Sequence, residues 1–423
     1  MTPWTRLRRT ARVARAAAAL FALYKLPAWW RRARGLPPRS GRALDATHER
    51  AARILLACAL DLRGVLIKTC QAVATRSDQF PPAFVERLKQ LHDAVPPKPF
   101  PLIRGVVERE LGRPLGEVFA RFDEAPLASA SLAQVHAARL RDGREVAVKV
   151  QYPDIESIVR VDIRNLRRAC RVYERLDPKP LELLPLLDEL VTHTGYELDF
   201  LREAESAERV RSLFAEDDRV VVPAPFREWC TRRVLVMERV GGIKITDKAA
   251  LVAAGLDPAE VVQHLMHVWV RMIMAEGFFQ ADPHPGNLFV TPEGRLVLLD
   301  FGLSKALPEG FGLGLFELMF SMMTLNEAAM LRAFEQLGFR TKTGDPSTFL
   351  LVARRMTSRS DSGRFEGEFT EEMTDELFEA IRQNPVVRVP TDFVLVGRAF
   401  GLLSGIAHTL GARANVLRAL GSG

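Results

Sequence analysis

The sequence predicts an α+β protein in which a helical stretch precedes a strand-rich segment and helices then return. Three observations predict it. From Ala43 to Val73 apolar residues recur at helical spacing. From Arg121 the pattern changes to short strands, with Val135–Leu140 and Glu145–Val150 flanking Asp142-Gly143, the dipeptide of a tight hairpin turn. Beyond the apolar run Leu296–Leu299, helical spacing resumes over 311–338 and 396–420. With 423 residues, 48% of them hydrophobic, the chain is long enough for two or three domains or one large bilobal one, with a real core.

The elements follow in order. The amino terminus reads Arg6-Leu-Arg-Arg9, then Ala16 to Tyr24, then Lys25, Trp29-Trp30 and Arg31-Arg32. Its uncharged run is shorter than the roughly 20 apolar residues a bilayer requires. The small-residue cleavage pattern of a signal peptide is replaced by Trp-Trp-Arg-Arg. The preferred reading is an interfacial helix with arginines at lipid headgroups and tryptophans at the boundary; an ordinary packed helix is the equal alternative. After Gly35-Leu-Pro-Pro38 comes the helix Ala43 to Val73, on which Lys68 and Gln71 share one face of one turn; alone, that is an exposed polar face. Further helices are expected over Pro82–His92, before Pro96-Pro97, and over Pro101–Leu111.

The second hairpin strand carries Lys149, and a lone strand lysine ordinarily faces solvent. Before the hairpin lie Leu127, Ala128, Ser129, Ala130, Ser131, Leu132, Ala133, Gln134 and Val135. Small residues let backbone N–H groups approach phosphate, and serine hydroxyls add hydrogen bonds. Alanine lacks glycine's freedom at positive φ, so such a loop is stiffer than a Gly-rich one; the alternative is a strand entry chosen for small size. Val261 to Phe279 is no membrane span, since Gln263, His264, His267, Arg271 and Glu276 interrupt it, and its Met266, Trp269, Met272 and Met274 read as core. Ser358 to Thr370 is polar and is expected to be mobile between the last helices.

Charge and cysteine content narrow the functions. The net charge is +7, but basic residues crowd the first fifty positions instead of forming a stripe with aromatics. That favours an anionic membrane surface over nucleic acid. Cys58, Cys70, Cys170 and Cys230 are scattered without a Cys-x-x-Cys pair, which indicates neither a zinc site nor a disulfide framework, and a reducing compartment is expected.

The chemistry concentrates in Gln280-Ala-Asp-Pro-His-Pro-Gly-Asn287, answered by Asp300-Phe301-Gly302. Phosphoryl transfer needs a carboxylate to hold the acceptor, oxygen ligands for magnesium and a lysine on the phosphates. Asp282 and Asn287 are five positions apart (287 − 282), the separation of the Asp and Asn of a kinase catalytic loop. Asp300 ends an apolar strand. His284, between two prolines, invites a general-base role, but Asp282 already serves the acceptor and a turn histidine usually hydrogen-bonds backbone.

In their order, these pieces resemble the UbiB/ADCK family of atypical protein kinase-like proteins, over about residues 45 to 410. The resemblance rests on Lys68-x-x-Gln71, Ala128 to Ser131 with Gln134-Val-His136, Lys149, Glu197-x-Asp199, Glu203, the Asp282-to-Asn287 loop and Asp300-Phe-Gly302. It implies a bilobal protein kinase-like fold with a helical N-terminal extension. The expected divisions are a basic amphipathic segment (1–41), the extension carrying Lys-x-x-Gln (42–120), an N-lobe with a helical insertion from Asp154 to about Leu190 (121–240) and a C-lobe (241–423). It implies that Lys149 binds the phosphates of ATP and pairs with Glu203 on a helix Tyr196 to Phe214, and that Leu127 to Val135 line the nucleotide. Val234 to Arg239, including Glu238, with Gly241-Gly242 becomes the adenine hinge. Asn287 and Asp300 ligate Mg2+, and Asp282 takes the catalytic carboxylate's place. Lys68 and Gln71 lie on a regulatory helix whose lysine meets Glu197 or Asp199. Two departures stand out: Cys70 where the family has glycine, adding volume and a thiol to that helix, and Gln280 where bacterial members often have histidine.

The family's link to ubiquinone and other isoprenoid lipids implies an ATP-binding, magnesium-dependent kinase or ATPase supporting isoprenoid quinone biosynthesis. It would be cytoplasmic and peripheral on the inner face of the membrane. Its partners would be ATP or ADP, isoprenoid lipid or quinone intermediates and quinone-biosynthesis proteins. No hydrophobic hairpin occurs near the carboxyl end, so the amino-terminal segment is the expected attachment. The alternatives are a small-molecule kinase of the aminoglycoside or choline type and a non-catalytic nucleotide-gated scaffold.

Overall fold

The computed structural model describes residues 2–37, 39–74, 80–91, 97–176, 183–345, 349, 384 and 386–412. Ser358–Thr370 and the end of the 396–420 helix lie outside them, as does His92. The chain forms two compact units, Met1–Glu205 with Ala224–Arg239, and Ser206–Pro223 with Val240–Gly423.

The first unit opens with helices α1 (Pro3–Ala33), α2 (Arg42–Leu62), α3 (Val65–Ala74), α4 (Pro82–Leu88), α5 (Phe100–Leu111) and α6 (Leu115–Val118). The single helix expected from Ala43 to Val73 is broken. Arg63 and Gly64 both take positive φ, 55° and 64°, which ends α2 and restarts the chain as α3. Helical periodicity continues across the break, so the sequence pattern conceals it, while Gly64 tolerates the geometry at no steric cost.

Helix α1 packs one face on this unit. Val13 is buried, with Ala16, Leu20, Leu23 and Tyr24 against α2 to α4. Its basic start serves the protein itself: Arg8 and Arg12 pair with Asp61, at 2.9 and 2.6 Å, and Arg9 with the fully buried Asp162, at 2.5 Å. The packed reading therefore holds along one side of this helix, while Trp4, Leu7, Leu26, Trp29 and Trp30 remain at least half exposed.

A four-stranded antiparallel sheet follows, in the order β1 (Phe119–Ser129), β2 (Ala133–Leu140), β3 (Glu145–Gln151), β5 (Val234–Glu238). β1 reaches Ser129, so Leu127, Ala128 and Ser129 belong to a strand and the turn is confined to Ala130–Leu132. The small residues conceal the strand because β1 breaks alternation with register shifts near Pro126. Between β3 and β5 come α7 (Ile155–Leu176), α8 (Leu183–Glu197) and α9 (Phe200–Leu213). Tyr196 and Glu197 thus close α8 instead of opening the next helix.

The second unit holds a sheet ordered β4 (Val220–Val221), β9 (Leu296–Leu298), β8 (Leu288–Val290), β6 (Ile243–Lys244), and the pair β7 (Phe278–Gln280) with β10 (Ser304–Ala306). They pack on α10 (Lys248–Ala253), α11 (Pro258–Val270), α12 (Phe311–Met323), α13 (Glu327–Leu337) and the helix Thr391–Leu410. Trp269 and Met272 are fully buried, and Met266 is 1% exposed, as core positions should be. Thr391–Leu410 is long and apolar enough to cross a membrane by length and composition, which was not expected, yet Leu395, Ala399, Leu403 and Ile406 are buried in this core. Gly242 lies so close to β8 that a Cβ there would stand 2.8 Å from the Val290 carbonyl oxygen. Gly242→Ala is expected to destabilise the protein by about 1–3 kcal/mol through overpacking, checked by urea denaturation.

Candidate active-site residues

In the first unit, register sets the lysine. Lys149 lies opposite Val135 on β2 and Leu235 on β5, in the middle of the sheet. Its Nζ donates to Glu203 Oε1 at 2.6 Å and lies 5.1 Å from the Phe200 ring centroid. Glu203 is 1% exposed, and an acid so buried holds a charge only beside a cation. Strand and helix therefore fix each other through this pair.

Nearby in the same unit, Lys68 of α3 donates to Glu197 Oε1 at 2.7 Å. Glu197 is thus the partner, while Asp199 lies 3.6 Å from Arg232 and accepts weakly from the Arg202 N–H. Gln71 points elsewhere, donating to the Leu91 carbonyl at 2.9 Å. Cys70 is buried, and burial pushes its thiol up to about 12, so it stays protonated at neutral pH.

The nucleotide-loop residues divide. Ser129 hydrogen-bonds Tyr152 at 2.8 Å, and Ala130 closes the turn by donating to the Ala133 carbonyl. Ser131, Leu132 and Ala133 are buried, whereas Leu127 is exposed. Gln134 is spent on structure: its Oε1 accepts from the Lys98 N–H at 2.8 Å and its amide reaches His136 Nε2 at 2.8 Å. His136 Nδ1 donates to the Asp123 carbonyl, and burial holds this histidine below its ordinary pKa, favouring the neutral ring. Glu238 ends β5 with its side chain exposed, its backbone N–H spent on the Ala224 carbonyl.

In the second unit, a buried scaffold shapes the loop. Trp269 Nε1 donates to the Gln280 carbonyl at 2.9 Å, and Gln280 Nε2 donates to the Asp282 carbonyl at 2.6 Å. The His284 N–H donates to the same carbonyl, and His284 Nδ1 accepts from Gly286 N–H at 3.1 Å. His284 therefore braces the turn. Asn287 Nδ2 reaches Asp300 Oδ2 at 3.4 Å, and Gly302 N–H holds Asp300 Oδ1 at 2.9 Å. That turn brings Asp300, just past the end of β9, beside Asn287, and both side chains carry hard oxygens of the kind magnesium takes. Among the described residues no three His, Cys, Asp or Glu cluster as a metal site, so a cation here would complete its shell with phosphate or water oxygens.

Sequence reading missed Arg398. Its Nη2 lies 3.4 Å from Asp282 Oδ1, and it stands on the helix Thr391–Leu410, far from any motif. The Asp282-to-Asn287 loop contains no lysine or arginine, so this cation comes from the end of the fold.

Comparison with known proteins gives a consistent result. The description of the ABC1 atypical kinase-like domain matches residues 90–334. AarF domain-containing protein kinase 1 of Xenopus tropicalis is 32% identical over 383 residues, covering 87% of this chain and 72% of that protein. Protein ACTIVITY OF BC1 COMPLEX KINASE 8, chloroplastic, of Arabidopsis thaliana is 32% identical over 391 residues, 84% of this chain and 51% of that protein. The first curated relatives are spanned over 48% to 72% of their own length. A solved structure of Rv3197 from Mycobacterium tuberculosis, in complex with erythromycin, superposes with a TM-score of 0.58 at 25% identity, over 88% of this chain and 94% of that one. The fold is protein kinase-like, α+β, with a helical N-terminal region.

Proposed function

The chain belongs to the ABC1 atypical kinase-like family, and from that premise we propose that it binds ATP with magnesium and turns it over by phosphoryl transfer or hydrolysis. The observation that carries this reading is the 2.6 Å Lys149–Glu203 pair, which holds an ammonium in the middle of a sheet against a buried acid. Lys149 would take nucleotide phosphates, and the Ala130–Leu132 turn would lie against them. Asn287 and Asp300 would hold the metal ion, which when bound supplies charge neutralisation on the phosphates. Asp282, its backbone fixed by Gln280 and His284, would orient an acceptor hydroxyl or water and receive its proton. Lys68, paired with Glu197, would restrain the nucleotide site.

The function served would be isoprenoid quinone metabolism at an anionic membrane surface, on the inner face. Supporting that attachment, exposed Trp4, Leu7, Leu26, Trp29 and Trp30 share α1 with the exposed Arg6, Arg15 and Arg32. Substituting Trp4, Trp29 and Trp30 by Ser is expected to lower co-sedimentation with phosphatidylglycerol vesicles at least tenfold without changing Tm.

The test of the chemistry is Asp282→Asn in the full chain. Magnesium-dependent ATP hydrolysis should fall about 10²–10⁴-fold, the range of acid–base assistance, with ATP affinity kept within about threefold. Unchanged function with Asp282→Asn, alongside loss on Lys149→Met, would establish a nucleotide-gated scaffold instead. Stoichiometric phosphate transfer to a small hydroxyl or amine compound would establish a small-molecule kinase.

A further inference from the structure

The N-terminal arginines converge on one point. α2 ends at Leu62, the chain turns through Arg63-Gly64, and α3 begins at Val65, three residues before Lys68. Arg9 Nη1 donates to the Leu62 carbonyl at 2.7 Å. That carbonyl is among the last of α2, a group the helix itself leaves unsatisfied. The other face of the same guanidinium grips α7, with Nε on Asp162 Oδ1 at 2.8 Å and Nη2 on Oδ2 at 2.5 Å. Such a two-pronged pairing fixes direction as well as distance. Arg8 and Arg12 hold Asp61, the residue before Leu62, and Thr10 hydrogen-bonds Asn165 one turn along α7.

The turn rests against α7 on its other side, at ordinary van der Waals distance. A Cβ on Gly64 would lie 3.6 Å from Ile158 and 3.8 Å from Asp162 Oδ2, so the elbow sits directly on α7 beneath the arginine. Asp162 is fully buried and Arg9 is 7% exposed. Burial pushes the Asp162 carboxyl up while the Arg9 guanidinium opposes it, so the acid depends on this cation.

We propose that Arg9 is a positioning residue: by tethering the Leu62 carbonyl to Asp162, it sets where α3 starts and so holds Lys68 against Glu197. A residue in the first turns of the chain thereby acts on a helix nearly sixty positions later. The regulatory consequence rests on the nucleotide-site reading above, but the placement of α3 does not, and the test needs no nucleotide.

Cys70 is a built-in reporter, because it is buried on α3 two residues after Lys68. Full-length protein is labelled with N-ethylmaleimide at pH 7.5 and each cysteine is followed by mass spectrometry, with the partly exposed Cys230 on the same unit as internal control. Arg9→Ala is expected to label at Cys70 at least tenfold faster than wild type, with Cys230 unchanged. Because Arg9→Ala strands a buried carboxylate and can unfold the unit, Arg9→Met/Asp162→Leu is measured beside it; an apolar pair of this kind is often tolerated. The tether predicts that this double variant regains the wild-type Tm while Cys70 stays fast, since nothing then holds the Leu62 carbonyl. Cys70 labelling at the wild-type rate in either folded variant would overturn the proposal and leave the nucleotide reading untouched.

Discussion

Lys149→Met is expected to abolish ATP binding and to destabilise the first unit by about 3–5 kcal/mol, the cost of leaving one buried charge without its partner. Glu203 has 1% of its surface exposed, so losing the 2.6 Å ammonium contact strands it. The two effects separate in a second variant. Lys149→Met/Glu203→Leu removes both charges and should recover most of the stability, because the site is flanked by Phe200 and other apolar residues. It should not recover ATP binding, because the lysine itself is what meets phosphate. If both variants bind ATP as the wild type does, Lys149 has no part in recognition. Thermal melts and titration calorimetry on the two proteins decide the matter.

The second large effect belongs to Asp300. Asp300→Asn should leave the turn intact, since an amide oxygen can still accept from Gly302 N–H, but it removes a carboxylate from beside Asn287. Magnesium-dependent turnover is expected to fall by at least about 10²–10³-fold, the scale on which a lost electrostatic partner is felt in a transition state. ATP binding measured in EDTA should be unchanged, while the gain in affinity on adding magnesium disappears. A variant that retains the magnesium effect would show that Asp300 is not a ligand.

Much of this was legible in the chain because motif spacing survives folding. Two pairings expected from the sequence are present, Lys149 with Glu203 and Asn287 beside Asp300, and Asp142-Gly143 marks the β2–β3 hairpin. What was concealed has physical reasons. The Arg63-Gly64 break interrupts no apolar periodicity, so α2 and α3 read as one helix. β1 is irregular around Pro126, so its alternation is lost. Gln134 looked like a phosphate-loop residue, but the sequence does not show that its amide is absorbed by Lys98 and His136. The same limitation hid the work of Arg8, Arg9 and Arg12. A basic cluster at a terminus reads as a membrane signal, and only the packed helices reveal Asp61 and Asp162 beneath it. Arg398 had no local signal at all, since it reaches Asp282 through tertiary packing.

The measurement that tests the central claim most directly is calorimetric titration of ATP, with magnesium, into the purified full chain and into Lys149→Met. The account predicts saturable one-to-one binding by the wild type and none by the variant. A folded wild-type chain that binds no adenine nucleotide, with or without magnesium, would contradict it.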